Sequence, residues 1–261
     1  MDTVFSNEYL QFFHLTSLPT GDDAQFDLHS HSFYELYYYA AGRAEYRVEG
    51  NIYFVSPDTL FLFPPHCFHG IRLLSGPAYE RYVLNLAPDK GIEEILLAPF
   101  HRHHCFPNAR RIAGHLNALA GCASLPPDLR EIAVGARLRS LLCEIVTLSP
   151  EETGRPDERV RQILQYINAH LREEISLDLL SDTFFLSKNR IQHVFQQATG
   201  TSVHRYLTAK RMSLARQLVS EGISPAKAYL LCGYQDYSSF YRAFVKYYGV
   251  SPGEASRYPF L

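Results

Sequence analysis

The chain has 261 residues, 46% of them hydrophobic, and its 25 basic and 27 acidic residues nearly balance. This length allows two domains with separate cores, and no segment approaches the ~20 consecutive apolar residues of a membrane-spanning helix. The first residues lack the basic and apolar regions of a secretory signal, and the five cysteines include no C-x-x-C pair. Composition therefore argues against a membrane or secreted protein and favours a reduced, cytoplasmic compartment.

Residues 1–90 contain short apolar segments separated by turn residues, a pattern that is typical of a β-barrel or β-sandwich. Between residues 29 and 39 the odd positions share one face of a predicted strand. The segments 43–48 and 52–55 flank a predicted hairpin turn at 49–51, and strands are also predicted at 60–63 and 79–86. The predicted inner face is aromatic with a few polar groups, which suits a small polar ligand such as a sugar.

Residues 108–148 predict two helices, interrupted at the segment 125–128, which contains Pro126 and Pro127. The second helix carries apolar residues at helical spacing, namely Ile132, Leu138, Leu141, Leu142, Ile145 and Leu148. This stripe either packs under the strands of the same chain or forms a dimer seam with a second copy. The polar segment 149–156, which contains proline and glycine, is predicted to be an interdomain linker.

The charge changes sign along the chain. Residues 158–261 contain 13 Lys or Arg and 8 Asp or Glu, a net charge of +5, whereas residues 1–157 contain 12 and 19, a net charge of −7. A basic second half fits a polyanionic partner, because each contact with a phosphate releases a counterion.

The same helical unit occurs twice in the basic half, about 49 positions apart. Residues 187–195 align with residues 236–244, so that the predicted N-caps Ser187 and Asp236 correspond. Gly200 and Gly249 follow at the matching ends, where glycine usually stops a helix. Each unit also follows a short predicted helix, at 176–184 and 224–232, and a tight turn. A helix, a turn and an exposed second helix predict two helix-turn-helix units, and a longer helix at 202–219 joins them.

Residues 158–257 closely resemble the DNA-binding domain of AraC/XylS transcription regulators. The resemblance rests on Ile175-Ser-Leu, Phe184-Phe-Leu-Ser187, Phe195, Thr199-Gly200, Tyr206-Leu207, Arg211-Met-Ser-Leu-Ala215, the stretch from Cys232 to Phe240, Arg242-Ala-Phe244 and the stretch from Tyr248 to Pro252. It implies that two recognition helices enter successive major grooves on one face of the DNA. The implied DNA-contacting residues are Lys188, Asn189, Gln192, His193, Gln196, Tyr237, Ser238, Ser239, Arg242 and Lys246.

Two departures from the family pattern carry predictions. His193 stands where the family favours a basic residue, so the first recognition helix is predicted to bind DNA phosphates weakly. Tyr229 stands four residues before Gly233, where the family favours a small alanine, and Ala228 lies one place earlier. The second unit is therefore expected either to pack differently or to be shifted in register.

The spacing H-x-H-x3-E-x6-G, from His29 to Gly42, resembles the first cupin motif, and Pro64 and His69 resemble a degraded second motif. In cupin enzymes the corresponding histidines and glutamate bind a metal, whereas AraC-type sensors often keep the pattern as structural or effector-binding residues without one. We assign these histidines and the glutamate to effector binding and predict no catalytic residue, cofactor or metal ligand. The sequence alone does not decide whether they also hold a metal. The predicted effector-binding residues are His29, His31, Glu35, Tyr37, Tyr39, Tyr46 and His69.

These observations predict an α+β multidomain regulator. Residues 1–107 form a cupin-like, ligand-sensing β-barrel, residues 108–157 a helical dimerisation segment and linker, and residues 158–261 an all-α domain with two helix-turn-helix units. The expected partners are double-stranded DNA, a small-molecule effector and a second copy of the chain, with RNA polymerase as a further candidate. Two alternatives stay open: a metal-dependent cupin enzyme fused to a DNA-binding domain, and a constitutive DNA-binding protein whose barrel is a scaffold.

Overall fold

A computed structural model describes residues 3–17, 29–65, 67–74, 78–87, 92–102, 104–150 and 158–258. The N-terminal half is rich in strands, as the alternation of its sequence predicts. Its strands are β1 Thr3–Ser6, β2 Leu10–Ser17, β3 Tyr34–Ala41, β4 Ala44–Val48, β5 Asn51–Val55, β6 Thr59–Phe63, β7 His69–Leu73, β8 Tyr79–Leu86 and β9 Cys105–Phe106. The predicted linker at 149–156 lies for the most part outside the described residues.

The strands form two antiparallel sheets that pack face to face. One has the order β1-β2-β8-β3-β6-β9 and the other the order β5-β4-β7. Tyr37 and Phe61 of the larger sheet and Tyr46 and Ile71 of the smaller sheet belong to one buried cluster between them. The predicted closed barrel is not found within these described strands, since an alternating pattern specifies an inner face but not closure of the sheet. A single isolated bridge, between residues 29 and 69, ties the segment before β3 to β7.

The hairpin between β4 and β5 forms where the sequence predicts it. Its turn residues Glu49 and Gly50 have φ values of 46° and 81°, the combination that a two-residue turn between twisted strands requires. A glutamate is uncommon in this left-handed conformation, which costs a non-glycine residue conformational energy.

Three helices cover the outer face of the larger sheet: α1 Glu94–Arg102, α2 Arg110–Gly121 and α3 Pro127–Val146. The break between α2 and α3 confirms the predicted interruption, whereas α1 was not predicted. Leu138 and Leu142 of α3 are buried in a core shared with Leu36 and Leu84 of the sheet. Most of the predicted stripe on α3 is therefore monomer core, but Ile132 is 71% exposed.

The C-terminal half is helical. Its helices are α4 Glu158–Ala169, α5 Leu177–Phe184, α6 Lys188–Thr199, α7 Val203–Ser220, α8 Pro225–Leu231 and α9 Tyr237–Tyr248. The side chains of Ser187 and Asp236 accept hydrogen bonds from the backbone N–H of residues 190 and 239, which confirms both N-caps. Gly200 and Gly249 end α6 and α9 with φ values of 73° and 74°, as the predicted helix stops require.

Helix α7 joins two separate cores, one for each helix-turn-helix unit. Its first half packs with Ile191 and Phe195 of α6, and its second half packs with Phe240 and Phe244 of α9. In α8, Ala228 is fully buried, and the partly buried Tyr229 lies against the rings of α9. The second unit thus buries the alanine one place earlier than the family pattern. No helix in the described ranges is both long and apolar enough to cross a membrane.

Candidate DNA-binding and ligand-binding sites

The exposed face of α6 carries most of the polar side chains predicted to contact DNA in the first unit. Lys188, Asn189, Gln192, His193 and Gln196 are all exposed, because the other face of α6 buries Ile191, Val194 and Phe195. Lys188 forms an ion pair with Asp178 of α5.

The exposed face of α9 presents the second set. Tyr237, Ser238, Arg242 and Lys246 are exposed, and Ser239 is partly buried. The guanidinium of Arg242 lies 3.4 Å from the hydroxyl of Ser239, one helical turn earlier. The backbone N–H of Ser239 donates to the N-cap Asp236, which lowers the pKa of that carboxyl. These side chains stand on one capped, rigid helix and include two cations, which suits contacts with phosphates and base edges.

Four of the predicted effector residues meet in one cluster beside the interface between the two sheets. One ligand-type atom from each of His29, His31, Glu35 and His69 lies within 4.8 Å of the others. Nε2 of His31 is 2.6 Å from Oε2 of Glu35, and Nε2 of His69 is 3.4 Å from the same oxygen. All four residues except His29 are buried. The structure thus brings together residues that are 40 positions apart in the sequence.

Backbone carbonyls fix the orientation of two of the imidazole rings. Nδ1 of His31 donates to the carbonyl of Phe33 at 3.0 Å, and Nδ1 of His69 donates to the carbonyl of Cys67 at 3.1 Å. A carbonyl only accepts, so each Nδ1 carries its proton and each Nε2 faces Glu35. Burial lowers the pKa of His69 to about 4, although Glu35 opposes this shift. Burial raises the pKa of Glu35, but contacts from His31 and His69 outweigh it and the net pKa is low.

The donor atoms of this cluster are of the kind that bind a metal ion. Three imidazoles and one carboxylate form a donor set that suits first-row transition metals. Nε2 of His69 is buried and has no hydrogen-bond partner among the described residues. The neutral ring of His69 would present its lone pair toward the same point as Glu35. The residues therefore fit a metal ion, which would supply positive charge to the carboxylate.

The three predicted tyrosines line the space between the sheets, beside this cluster. The rings of Tyr37 and Tyr46 are 5.1 Å apart, and Phe63 stacks on His69 at 3.9 Å. Tyr39 lies farther along β3 and packs against Tyr79 at 5.4 Å. The hydroxyls of Tyr39 and Tyr79 are buried without a hydrogen-bond partner in the described part of the chain. Tyr46 joins this face as its strand period predicts, whereas Tyr79 was not predicted.

A contact between the two halves of the chain was also not predicted. The hydroxyl of Tyr206 donates to Glu49 at 2.6 Å, Lys210 pairs with the same carboxylate, and the backbone N–H of Phe68 donates to it at 2.7 Å. The available sequence signal was the glutamate in a turn that favours asparagine or glycine. Nearby, a cleft of about 350 Å³ between the halves is lined in part by Glu49, Cys67 and Lys210.

Comparison with known proteins gives two family matches. Residues 19–166, more than half of the chain, match the model of an AraC-like ligand binding domain, and residues 180–258 match a helix-turn-helix domain. The activator RhaS of Escherichia coli is 24% identical over 250 residues, which cover 90% of this chain and 88% of RhaS.

Two further similarities cover different lengths. The probable transcriptional regulator LumQ of Photobacterium leiognathi is 38% identical over 107 residues, which are 40% of this chain and 42% of LumQ. Solved ToxT from Vibrio cholerae aligns over 96% of this chain and 98% of its own, with 10% identity and a TM-score of 0.43.

Proposed function

The chain belongs to the AraC family of transcription regulators, with an N-terminal ligand-binding domain, and we propose that it is a ligand-responsive, sequence-specific member. The proposed division is a sensor at 1–107, a helical segment and linker at 108–157, and a DNA-binding domain at 158–261. The observation that carries the proposal is the pair of capped helices, α6 and α9, with exposed polar faces on two separate cores. We propose that the protein is a regulator and not an enzyme, and that it binds DNA in the cytoplasm.

We propose that α6 and α9 each enter a major groove. The base-reading set is Asn189, Gln192, His193, Tyr237, Ser238, Ser239 and Arg242, with Lys188, Gln196 and Lys246 nearer to the phosphates. Sequence selection from a random DNA library with the full chain tests this. The expected product is a site with two short conserved blocks about one helical turn apart, because one protein face meets successive grooves. Recovery of unrelated sequences at similar affinity would exclude sequence-specific binding.

We propose that a small polar metabolite, such as a sugar, is the organic effector and lies against the tyrosine-lined face. The support is chemical: aromatic rings suit the apolar faces of a sugar, and the buried hydroxyls of Tyr39 and Tyr79 have hydrogen-bonding capacity to offer. His29, His31, Glu35 and His69 form the polar end of this site, beside Tyr37 and Tyr46. A thermal-shift screen with sugars and other metabolites tests the class, since a ligand of the folded state raises the melting temperature.

We propose that the regulator is a homodimer that uses the outer face of α3. Besides its buried stripe, α3 carries an exposed series at helical spacings of three, four or seven residues: Leu129, Ile132, Ala136, Cys143 and Val146. Exposed apolar residues in one line on a helix are typical of a helix–helix interface. Two copies would place two DNA-binding domains on one operator, and RNA polymerase is the proposed further partner.

A further inference from the structure

In two short segments of the sensor, residues 29–32 and 68–69, successive side chains contact two different parts of the molecule. His29 and His31 point to the His/Glu cluster, whereas Ser30 and Ser32 contact the DNA-binding half. In the second segment His69 belongs to the cluster, and the adjacent Phe68 packs into the core of the first helix-turn-helix unit. Successive side chains of an extended backbone point to opposite sides, so each segment has one ligand-facing side and one DNA-domain-facing side.

Several contacts on the second side are with α7, and Ser30 also contacts Tyr247 of α9. The hydroxyls of Ser30 and Ser213 are 3.2 Å apart, and Nε of Arg216 donates to the hydroxyl of Ser32 at 2.7 Å. The ring of Phe68 lies 5.0 Å from that of Tyr206. Tyr206, Ser213 and Arg216 share one helix, the same helix that holds α6 and α9 in relation to each other. Ser30, Ser32 and Phe68 are buried in these contacts.

The other side brings ligand-type atoms of two histidines and one glutamate to the same place. Nδ1 of His31 donates to the carbonyl of Phe33, and Nε2 of the same ring lies 2.6 Å from Oε2 of Glu35. Nε2 of His69 also faces that oxygen, at 3.4 Å and without a hydrogen bond. Two imidazole nitrogens and a carboxylate oxygen thus point to one place, a donor set that suits a transition-metal ion.

We propose that His29, His31, Glu35 and His69 bind a divalent transition-metal ion, and that occupancy of this site is transmitted to α7 through Ser30, Ser32 and Phe68. The ion would lie at the polar end of the proposed effector site, and the DNA readout of this proposal rests on the proposed function.

The geometry supports an ion of this class. Nitrogen ligands lie about 2.0–2.1 Å from such a metal, so two opposed ligand atoms are roughly 4.2 Å apart. The four atoms here lie within 4.8 Å of one another. A contraction of less than about 1 Å would bring the more distant atoms to that spacing, whereas Nε2 of His31 and Oε2 of Glu35, 2.6 Å apart, would separate slightly. The hydrogen bonds from Nδ1 of His31 and His69 to backbone carbonyls are of the kind that orient metal-bound imidazoles.

The backbone provides a direct path for such a contraction. Residues 29 and 69 exchange two backbone hydrogen bonds, each of 2.9 Å, so the two ligand-bearing segments move as one unit. Pulling the three histidines toward an ion would therefore shift Ser30, Ser32 and Phe68 together against α7. Since α7 packs against both recognition helices, that shift changes their relation to the grooves of DNA.

The site is tested by titrating the metal-free full-length protein with Co²⁺ and recording the visible d–d absorption. We expect one Co²⁺ per chain, with affinity at least about tenfold weaker in His29→Gln and in Glu35→Gln. His14→Gln is the matched control, because His14 and Glu80 form a histidine–carboxylate pair elsewhere in the sensor. His29 is exposed, so its variant should fold even if Glu35→Gln does not. No bound Co²⁺, or equal affinity in His29→Gln and wild type, would overturn the site.

The transmission is tested by measuring DNA affinity with and without Co²⁺, on a sequence selected by the wild type. We expect a change of about fivefold or more in the wild type. In Ser32→Ala, which removes the hydroxyl that accepts from Nε of Arg216, Co²⁺ affinity should stay within about twofold while the effect of Co²⁺ on DNA affinity shrinks. Equal DNA affinity with and without bound Co²⁺ overturns the transmission. Loss of all sequence-specific DNA binding in a protein that still binds Co²⁺ refutes the proposed function instead.

Discussion

Arg242 is the residue whose proposed DNA contact is most specific. Its guanidinium is exposed on α9, and its contact with the hydroxyl of Ser239 is long, 3.4 Å, so it can reach a base. We expect Arg242→Ala to weaken specific binding by about 1–3 kcal/mol if the side chain reads a guanine through two hydrogen bonds. Fluorescence anisotropy on the selected site measures this, and circular dichroism checks folding. Wild-type affinity in a folded Arg242→Ala protein would remove Arg242 from the interface.

Two neighbouring tyrosines of β3 provide a matched pair for a stability prediction. The hydroxyl of Tyr38 donates to Asp58 at 2.6 Å, whereas that of Tyr39 is buried and has no hydrogen-bond partner among the described residues. Tyr38→Phe should destabilise the protein by about 1–3 kcal/mol, because it removes a hydrogen bond to a charged group. Tyr39→Phe should leave stability unchanged or raise it. Urea denaturation measures the free energy of unfolding of both variants. Equal losses of this free energy would mean that the Tyr39 hydroxyl already has a hydrogen-bond partner in the folded protein.

At the scale of single elements, the predicted contact faces of the two recognition helices differ in charge. Helix α9 has exposed Arg242 and Lys246 in its predicted contact set. The predicted contact set of α6 has Lys188, which is paired with Asp178, and exposed Arg190 of α6 lies outside that set. Helix α6 should therefore contribute more to sequence preference than to salt dependence, and α9 to both.

The difference between the helices is measurable as the slope of log affinity against log salt. Lys246→Ala should reduce this slope by about one unit, because one phosphate contact is lost. Gln192→Ala should alter the preferred sequence with little change in slope. Arg137→Ala, at an exposed site on α3, is the charge-matched control and should leave the slope as in the wild type. A large change in slope for Gln192→Ala would contradict the proposal that α6 contributes mainly to sequence preference.

Helix α3 makes a prediction about assembly. Ile132 is 71% exposed on the proposed dimer face, and Ile95 of α1 is 73% exposed outside it. Ile132→Glu should place two like charges in the interface and weaken the dimer by about tenfold or more, whereas Ile95→Glu should not. Analytical ultracentrifugation over a range of concentrations compares them. If both variants assemble like the wild type, α3 is not the interface.

For the whole molecule, one carboxylate, that of Glu49, takes part in several contacts between the halves. The side chain of Glu49 is 21% exposed and that of Lys210 is 11% exposed. Burial raises the pKa of Glu49, but Lys210, the hydroxyl of Tyr206 and the backbone of Phe68 outweigh it, so the net pKa is lowered. Asn168 supports Tyr206, and the buried thiol of Cys67 lies close by. The ionised form of Glu49 is therefore the one that stabilises the contact.

This carboxylate links stability to pH with a defined sign. A group whose pKa is lowered by folding stabilises the protein above its unfolded pKa of about 4.3, and this contribution is lost as the pH falls through the folded value. Glu49→Gln should cost about 1–3 kcal/mol at neutral pH. The difference between wild type and variant should shrink in acid. A difference that stays constant from neutral pH down to strong acid would show that the charge of Glu49 does not support the contact.

The sequence by itself determined the two helix-turn-helix units, the hairpin at 49–51 and the strand face with Glu35, Tyr37 and Tyr39. Each depends on local signals: N-cap side chains, glycines at positive φ and the period of apolar residues, all of which act within a few positions along the chain. The structure placed these features where the local signals predict.

Only the tertiary structure decided how distant segments meet. It placed most of the α3 stripe in the monomer core, left the strands as two sheets, and set Glu49 against Lys210, 161 positions away. It also turned Ser30 and Ser32 toward α7 while their neighbours face the His/Glu cluster. Periodicity tells which side chains share a face, but not what that face meets, because the partner of a buried face is chosen by packing between elements far apart in the chain.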